Sequence, residues 1–594
     1  MFMAAVAIVL VLASGYIWLT RGFFSALLNM LCVIVAGAIA FGVMEHVAYA
    51  VLRASPERGF FSFISGAAWS IGLAIPFAAS LAILRLIVDK LIPHNTKLVS
   101  SADYAGGAVC GIISGVITAG IMVMTIGFLR VSSNFMGYQP VVYTSQGGVK
   151  GNLEREKNPI RPYVDEWTAE LYERLSLASL RAPRPLARYH PEFHELPATL
   201  RFNFEEGKSR NTFAPKDFTV THYYTVGDTA AGTPLTELTT DRWHENAQAV
   251  IGLDGQRLNR GYLAGFVIRF NSSARESGRN AQVLATNAQL RLVVQRPGGD
   301  SIAVHPIAVI AQQDAADPEM ARFWYDADRV TATSLGGNAT PTMAFEFAVP
   351  PGYQPVSLYV KGARYTPPAQ PSQEFAGPTS RDMTIPALAR GGFSAGDLND
   401  EHAVVVETGR GAQDVIRVTN ALGFSIRKGA ELGLETEKLS RGGFAVISGD
   451  QQLSRAGSGG FVDQALQINR FAATPDTVIV QVDVSLNRPT RLNGPAFDAT
   501  SGEDDTLYLL DANGIPYQAI GFVYEDQRFR HVRFTPGQPI KSLSELPPLS
   551  PSIGDQKLMM IFRCSFGGNV EKFIVGKQVV ATFDPPIALD QSQN

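Results

Sequence analysis

The stretch DYAGGAVCGIISGVITAG, residues 103–120, is almost wholly apolar or small, and glycine recurs in it at a fixed interval. Gly107, Gly111 and Gly115 fall four residues apart, so they lie on one face of a helix. Glycine costs about 1 kcal/mol in a water-exposed helix, which makes such a ladder unfavourable in water. In lipid, small residues gather where helix backbones approach closely. The ladder therefore predicts a membrane helix that packs against a second helix.

The sequence leaves the partner of this glycine face open. The face packs either against another helix of the same bundle, which is the simpler arrangement, or against a second copy of the chain or a pore. Asp103 stands just ahead of the ladder, where a carboxylate caps a helix and meets the positive end of its dipole. A homo-oligomer therefore stays open as an alternative.

Around this stretch, the chain is almost continuously apolar. The first 130 residues hold seven of the 51 Lys and Arg residues and four of the 54 Asp and Glu residues. Four apolar segments, roughly at residues 2–20, 22–44, 60–84 and 105–129, are each long enough to cross the hydrocarbon core as a helix. We therefore predict a four-helix transmembrane domain over residues 1–130, in contact with the lipid bilayer.

The distribution of positive charge indicates an orientation in the membrane. An even number of spans places both termini on one side. The loops between the first and second spans and between the third and fourth carry four Lys or Arg residues, whereas the opposite side carries three. The positive-inside rule therefore favours, by a narrow margin, both termini and the large C-terminal region outside the cytoplasm.

Two motifs of this domain resemble the colicin V production protein (CvpA) family. GYIWLTRGFFSALLNML (15–31) resembles that family's Gly-aromatic-x-x-x-Arg-Gly-Phe connection between the first two spans. DYAGGAVCG (103–111) resembles the Asp-x-x-x-Gly-Ala-x-x-Gly opening of its last span. The acidic residue often found early in the family's first span is missing, and Tyr104 replaces the commoner Arg. The family-motif and helix-packing residues are Arg21, Gly22, Phe23, Asp103, Gly107, Ala108, Gly111 and Gly115.

The resemblance covers about residues 1–180 and implies a multi-pass protein of the bacterial inner (cytoplasmic) membrane. Members of the family are linked to colicin V export and envelope integrity and have no established catalytic residue. Some carry an additional domain outside the cytoplasm, such as a trypsin-like serine protease. The remainder of the chain therefore distinguishes an enzymatic from a non-enzymatic member of such a family.

Residues 131–195 form the connection to that remainder. PYVDEWTAELYERLSLASL (162–180) has the apolar spacing of an amphipathic helix, with Trp167 on the apolar face. The helix lies either on the bilayer or docked on the following domain. RAPRPLARYHPEF (181–193) predicts a stiff, Pro-rich linker.

From residue 196 onward, short alternating apolar runs broken by Gly, Pro, Asn and Asp are typical of β-sandwiches. FVIRF (266–270) corresponds in order to VIVQVDV (478–484), and the later strands follow in the same sequence. AVIGLDGQRLNRG (249–261) also aligns by eye with AVISGDQQLSRAG (445–457). We predict a duplication that gives two tandem immunoglobulin-like β-sandwich units. The boundaries are 196–370 for the first unit, 371–397 for a linker, 398–588 for the second unit and 589–594 for a tail.

No segment carries a convincing catalytic, cofactor-binding or metal-binding motif. Ser301 in RPGGDSIAVH is followed by Ile rather than Gly, so a hairpin turn is the better interpretation. His190 and His194 are four residues apart, but Pro191 opposes a metalloprotease helix, and surface histidines explain them better. Glu45, at the end of the second span, marks either an ion path or, more simply, the membrane interface.

Two acidic loops, at residues 396–402 and 498–506, lack the ligand spacing of a calcium loop and are better explained as solvated turns. The mildly acidic soluble region excludes a nucleic-acid partner. These observations predict a non-enzymatic membrane protein, without a cofactor, whose β units bind a protein partner or support assembly outside the cytoplasm. The alternative is a channel or transport component whose bundle oligomerises to conduct or export a solute.

Overall fold

In this computed structural model the chain is described from residue 2 to residue 590, and the two acidic loops named above lie partly outside the described residues. The positions not described within this range are 56–62, 93–99, 133, 147–148, 157–159, 203–208, 277–281, 313, 316–318, 326–329, 394–397, 409–414, 430–432, 441, 456–462, 475, 493–504 and 537.

The N-terminal region is helical. Its described helices are α1 (Phe2–Arg21), α2 (Phe23–Ala54), the short α3 (Phe63–Gly66), α4 (Ala68–Leu91) and α5 (Ser100–Gly127). Four of these, in the described part of the chain, are long and apolar enough to span a membrane, which confirms that part of the prediction and indicates association with a membrane. Large apolar side chains such as Leu12 and Leu86 are exposed on them, as contact with lipid requires. Helix α2, with 32 residues, extends beyond the predicted span.

The glycine ladder of α5 packs against α1 of the same chain. A Cβ atom at Gly107 would stand 2.7 Å from the carbonyl oxygen of Trp18, so only a glycine fits there without movement of the backbone. At Gly111, the Ser14 hydroxyl donates to the glycine carbonyl at 2.8 Å. Gly115 meets the same helix one turn further on. The sequence left open whether the ladder packs within the bundle or against a second copy of the chain or a pore. The ladder packs within the bundle.

We predict that Gly107→Leu destabilises the helical bundle, whereas Ala108→Leu does so much less. Ala108 is the next residue, is only half-buried and lies off the contact line with α1. Overpacking a close contact costs about 1–3 kcal/mol, so the thermal midpoint of the full chain in detergent should fall for the first variant. Equal midpoints for the two variants would contradict this packing.

The helix predicted after the membrane domain is α6 (Val164–Leu177), and it docks on the transmembrane helices. The Tyr172 hydroxyl donates to the Val33 carbonyl oxygen of α2 at 3.2 Å, and Thr168 lies against Gly120 of α5. The buried face of α6 thus combines the apolar and aromatic side chains of Val164 and Tyr172 with polar and small residues, while Trp167 is half-exposed. This position is neither of the two arrangements considered from the sequence, because the glycine of α5 creates room for α6 beside it.

Residues 181–193 do not form the predicted stiff linker. They contribute α7 (Leu186–Tyr189), and a 3₁₀ turn (Phe193–Glu195) and α8 (Leu196–Arg201) follow directly. Phe193 is fully buried in one hydrophobic cluster with Trp69 and Phe128 from the helical region. The prolines therefore shape a packed segment rather than a solvated spacer.

The first β unit is a sandwich of two sheets with helices on one outer face. A hairpin of β1 (Val141–Gln146) and β2 (Val149–Arg155) precedes the unit. The strands of the unit are β3 (Phe218–Val226), β4 (Thr233–Pro234), β5 (Val250–Ile251), β6 (Arg257–Leu258), β7 (Arg260–Phe270), β8 (Leu284–Thr286), β9 (Leu290–Gln295), β10 (Ser301–Val304), β11 (Pro306–Gln312), β12 (Met320–Trp324), β13 (Thr331–Thr333), β14 (Thr342–Val349), β15 (Gln354–Val360), β16 (Ala363–Tyr365) and β17 (Gln373–Phe375). The larger sheet has the strand order β12-β11-β14-β7-β3-β17, and the smaller sheet has the order β10-β9-β15-β16.

The core of this unit lies between the two sheets. Phe266 and Phe345 of the larger sheet pack with Leu292 and Leu358 of the smaller one. The outer face of the larger sheet is covered by α9 (Leu235–Thr239) and α10 (Pro378–Ala389). Strand β17 and α10 fall within the predicted 371–397 linker, so most of that segment belongs to the unit instead.

A buried ion cluster fastens α10 to the sheet. Glu346 of β14 accepts from Arg322 Nε at 2.6 Å and from Arg381 Nη1 of α10 at 2.7 Å. Asp241 pairs with Arg322 Nη1 at 2.8 Å. Burial alone would raise the pKa of Glu346, but the two guanidinium groups outweigh it and hold the pKa at about 2. The cluster therefore stays ionised at neutral pH and ties helix to sheet.

The strands of the second β unit are β18 (Val404–Glu407), β19 (Ile416–Val418), β20 (Ala421–Arg427), β21 (Leu434–Lys438), β22 (Phe444–Ser454), β23 (Gln467–Phe471), β24 (Thr477–Asp483), β25 (Leu507–Asp511), β26 (Pro516–Glu525), β27 (Phe529–Phe534), β28 (Lys557–Ser565), β29 (Asn569–Val575) and β30 (Gln578–Ala588). The start of β26 pairs with β25, and the rest pairs with β27 and β28. This strand therefore joins the two parts of a 13-stranded sheet.

The two units share a pattern of strand pairing. In the first unit β7 pairs with β14, β9 with β15, and β11 with both β12 and β14. In the second, β24 pairs with β28, β25 with β29, and β26 with both β27 and β28. The immunoglobulin-like form predicted for the units is not confirmed, because extra strands, β20 to β23, and the helix α10 extend them.

The two similar sequence stretches, 249–261 and 445–457, do not form equivalent structures. Residues 249–261 form the β5–β6 hairpin and the start of β7. The described part of 445–457 lies almost entirely in β22, a single strand that pairs with β27. The similarity of these two stretches is therefore confined to their sequence. The later strands of the two units, in contrast, also share their pattern of strand pairing.

The two units are in direct contact. The Ser565 hydroxyl of the second unit donates to the Gly336 carbonyl oxygen of the first at 2.6 Å. The Ala339 N–H donates to the Pro516 carbonyl oxygen at 2.8 Å. Loop residues between β13 and β14 thus position the second unit against the first.

Candidate functional site: the junction between the membrane helices and the first β unit

The last turns of α2 carry a carboxylate and a phenol on one face. Glu45 and Tyr49 are four residues apart, which places them side by side on the helix. The Tyr49 hydroxyl lies 3.0 Å from Glu45 Oε1. Glu45 is only 6% exposed, so its charge has to be compensated by neighbouring groups rather than by water.

The β15–β16 hairpin of the first β unit reaches this face. Its two connecting residues, Lys361 and Gly362, have φ angles of 46° and 81°, and a two-residue hairpin turn with both φ angles positive is of type I′. The Tyr49 hydroxyl lies 3.1 Å from the Gly362 carbonyl oxygen and accepts the Arg364 N–H at 2.9 Å. One phenol on a membrane helix therefore contacts the backbone of the hairpin turn and of the strand that follows it.

The charge of Glu45 is paired with arginines from outside the helix. Arg364 Nε of β16 lies 2.9 Å from Glu45 Oε1, and Arg184 Nη1 lies 3.6 Å from Oε2. Both carboxylate oxygens thus face a guanidinium group. Because Arg364 is itself largely buried, the Glu45–Arg364 pair is an ion pair of low solvent access.

Trp69 fills the space between the helices and the turn. Its fully buried ring meets Tyr49 edge-on at a centroid distance of 6.1 Å and stacks on Phe128 at 5.8 Å. A Cβ atom at Gly362 would stand 2.6 Å from Trp69 Nε1. The hairpin turn therefore needs glycine both for its φ angle and for its approach to the indole.

Additional contacts hold the junction from the β side. The Thr212 hydroxyl donates to the Ser65 carbonyl oxygen of α3 at 3.0 Å. Lys361 Nζ donates to the Arg210 carbonyl oxygen at 2.7 Å. Burial lowers the pKa of Lys361 to about 8, although the nearby Glu276 carboxylate opposes this shift. The junction thus joins two separate segments of the first unit, around Thr212 and around Gly362, to the helices, and Lys361 ties these two segments to each other.

His190 belongs to the junction, which corrects its interpretation as a surface residue. Its ring is 4% exposed and meets Trp69 edge-on at 6.0 Å. Burial, together with the guanidinium groups of Arg291 and Arg364, lowers the pKa of His190, so the ring is neutral. His194 lies 3.8 Å from Glu195. Among the described residues, no group of three or more His, Cys, Asp or Glu side chains is placed to hold a metal ion.

The motif residues predicted from the sequence meet at the opposite end of α2. The Asp103 carboxylate accepts the Phe23 N–H at 2.9 Å, so it caps α2 rather than its own helix. Gly22, with φ 89°, forms the turn between α1 and α2 and contacts the same carboxylate. The Arg21 guanidinium lies 5.4 Å above the Trp18 ring. Both halves of the predicted family motif thus converge, but away from the junction.

Sequence reasoning missed the residues that make the junction. Distant parts of the chain supply these residues, which are Tyr49, Trp69, Gly362 and Arg364. Only the four-residue spacing of Glu45 and Tyr49 gave a local signal.

Ser301 begins β10 opposite Gln295, in the hairpin that the sequence predicted.

Comparison of this chain with protein-family models, with curated proteins and with solved structures finds no match. The resemblance to the CvpA family therefore stays a prediction.

We predict that Gly362→Ala destabilises the full chain by more than Gly352→Ala. Both glycines sit in turns with positive φ, Gly362 in the β15–β16 hairpin and Gly352 in the connection from β14 to β15, so both variants carry the cost of a left-handed alanine, about 1–2 kcal/mol. Only Gly362 faces Trp69, whereas a Cβ atom at Gly352 meets nothing within 4 Å. Thermal unfolding of each variant in detergent measures the difference, and equal midpoints would show that the turn does not dock on the indole.

Proposed function

We propose that this chain is a non-enzymatic integral membrane protein of the CvpA type that displays two β units on the outer side of the bacterial inner membrane. There the β units bind a protein partner or support assembly, in the setting of colicin V production or envelope integrity. The observation that carries the proposal is the junction, in which Tyr49 and Glu45 of α2 bond the β15–β16 hairpin directly.

A rigid attachment of the β units to the helical bundle suits the display of a binding surface better than a flexible linker does. The segment between helices and β unit is packed, and the second unit contacts the first through the loop before β14. The bundle, the first unit and the second unit thus form a continuous series of contacts. A partner that binds the second unit would meet a surface held at a set orientation to the membrane.

We further propose that the two units arose by duplication and then took different roles. Their shared strand pairing supports this origin. In the first unit the β15–β16 turn docks on the helices. The corresponding β29–β30 turn of the second unit contacts Asn399, whose N–H donates to the Lys577 carbonyl oxygen at 2.9 Å. The first unit therefore anchors, and the second is the better candidate for partner binding.

The alternative role as a channel or transport component has weaker support. It relied on the glycine face of α5 as an oligomeric or pore-lining surface. That face is occupied by α1, with the Ser14 hydroxyl bonded to the Gly111 carbonyl oxygen. Close packing within one chain favours an anchor over a conduit.

The orientation of the protein in the membrane tests the proposal. A phosphatase that is active only outside the cytoplasm, fused after the C-terminus of the full chain, should be active. A fluorescent protein that matures only in the cytoplasm should stay dark at that position.

The matched control is the same pair of reporters fused after Ile92, at the end of α4, where the opposite pattern is expected. A fluorescent C-terminal fusion together with an active phosphatase after Ile92 would place the β units in the cytoplasm and overturn the proposed display function.

A further inference from the structure

Strand β18 forms an open edge of the second β unit. It stands first in the strand order of the 13-stranded sheet and, among the described residues, pairs on one side only, in parallel with β30. Two of its four residues are valines with exposed side chains, Val404 at 43% and Val405 at 63%. An edge strand that exposes apolar side chains is a template for a strand from another chain. This edge is therefore suited to strand addition.

The backbone groups of two residues point away from the sheet at this edge. The Thr408 N–H donates to the Asp584 carbonyl oxygen at 2.8 Å, so Thr408 faces β30. Successive residues of a strand direct their N–H and C=O groups to opposite sides. Val405 and Glu407 therefore face outward, and their N–H and C=O groups have no backbone partner among the described residues. An extended peptide would pair with these groups as a neighbouring strand does.

Two carboxylates stand side by side at the end of this edge. The register of β18 and β30 places Glu407 directly beside Asp584. Both residues are exposed, and neither carboxylate has an ion pair or a hydrogen bond with the rest of the described chain. Neighbouring like charges repel each other, and a cation beside them relieves that repulsion. The edge therefore favours a strand that brings a basic side chain to Glu407.

The same carboxylates disfavour a second copy of this chain as the added strand. Pairing of two β18 strands would bring another Glu407 and another Asp584 to an edge that already carries two unpaired negative charges. Charged side chains on edge strands protect proteins from pairing with their own copies. A basic strand meets the opposite charge instead. Because side chains alternate between the faces of a strand, its residue two positions away lies beside Val405.

We propose that β18 is the docking edge for the protein partner, which adds an extended segment with a basic side chain and, two residues away, an apolar one. The backbone of the segment pairs with the N–H and C=O groups of Val405 and Glu407. Its basic side chain lies beside Glu407, and its apolar side chain lies beside Val405. This inference rests on the proposed function, because it names the chemistry by which the second unit recognises its partner.

A short symmetric peptide tests the chemistry of the partner segment. Lys-Thr-Val-Thr-Lys, with a neutral dye at its N-terminus and an amide at its C-terminus, presents Lys and Val at alternate positions in either strand direction. One matched peptide replaces both lysines by Glu. Another is N-methylated at its three central residues, so it keeps both charges and loses the central N–H groups. Fluorescence anisotropy follows the titration of each peptide with the full chain in nanodiscs of zwitterionic lipid, with empty nanodiscs as the blank.

We expect the lysine peptide to bind, and the other two to bind about fivefold more weakly or less, because they lose the attraction to Glu407 or the backbone hydrogen bonds. No signal above the blank, or equal binding by either matched peptide, would overturn the proposal. A peptide that copies residues 403–407 and binds as tightly as the lysine peptide would make a second copy of this chain the occupant, which would also overturn it.

Point variants assign the site. Val405→Pro removes the outward N–H and leaves the pairing with β30 intact, because proline is tolerated where the N–H of an edge strand faces solvent. Glu407→Gln removes the charge. Each should weaken binding of the lysine peptide about two- to fivefold. The matched controls are Val405→Thr, which keeps the N–H, and Glu435→Gln, at an exposed position of β21. Both controls should bind as the wild type does, and unchanged affinity in Val405→Pro and Glu407→Gln would contradict the site.

Thermal unfolding separates loss of docking from loss of folding. Val405→Pro should melt close to Val405→Thr, because the N–H that it removes has no partner within the chain. A midpoint far below that of Val405→Thr would show that the chain itself uses this N–H, and would overturn the inference. Both faces of a nanodisc are open to solution, so the peptide titration does not depend on orientation in the membrane. Its failure is therefore distinguishable from a failure of the reporter fusions that test the proposed function.

Discussion

The buried carboxylate of Glu45 is the constraint on which the arrangement of the whole molecule depends. A charge removed from water at the end of a membrane helix is tolerated only if it is paired. Its partners, Arg364 and Arg184, come from the β unit and from the segment that precedes it. Breaking such a buried pair by removing one partner costs about 3–5 kcal/mol. The ion pair between Glu45 and Arg364 therefore both compensates the buried charge of Glu45 and holds the helices and the β unit together.

The positions of both β units relative to the helices depend on the junction. The hairpin turn at Gly362 fits under Trp69, and its strands belong to the sandwich that carries the buried ion cluster of Glu346. The second unit is placed by hydrogen bonds from the first. A solvated Pro-rich linker would have allowed independent motion, but Phe193 is buried where that linker was expected.

The membrane helices and the ladder contact were predictable because their signals are local. Apolar length defines a span, and a four-residue glycine repeat defines a packing face. The strands were visible as alternating runs, but their extra helix and the packed segment around His190 were not. The junction could not be predicted from the sequence, because Tyr49 and Arg364 are separated by over half of the chain. A Lys-Gly turn also has no sequence feature that distinguishes a docked hairpin turn from any other hairpin turn.

The most direct test of the fixed junction is the distance between the bundle and the first β unit in a lipid nanodisc. Spin labels at Tyr104→Cys on α5 and Asp300→Cys in the β9–β10 turn occupy exposed positions, and the three native cysteines are buried. Double electron–electron resonance should give one narrow distance distribution, which broadens when Glu45→Gln removes the charge paired with Arg364. A broad distribution with Glu45 intact would show that the β unit moves freely, and would contradict the account.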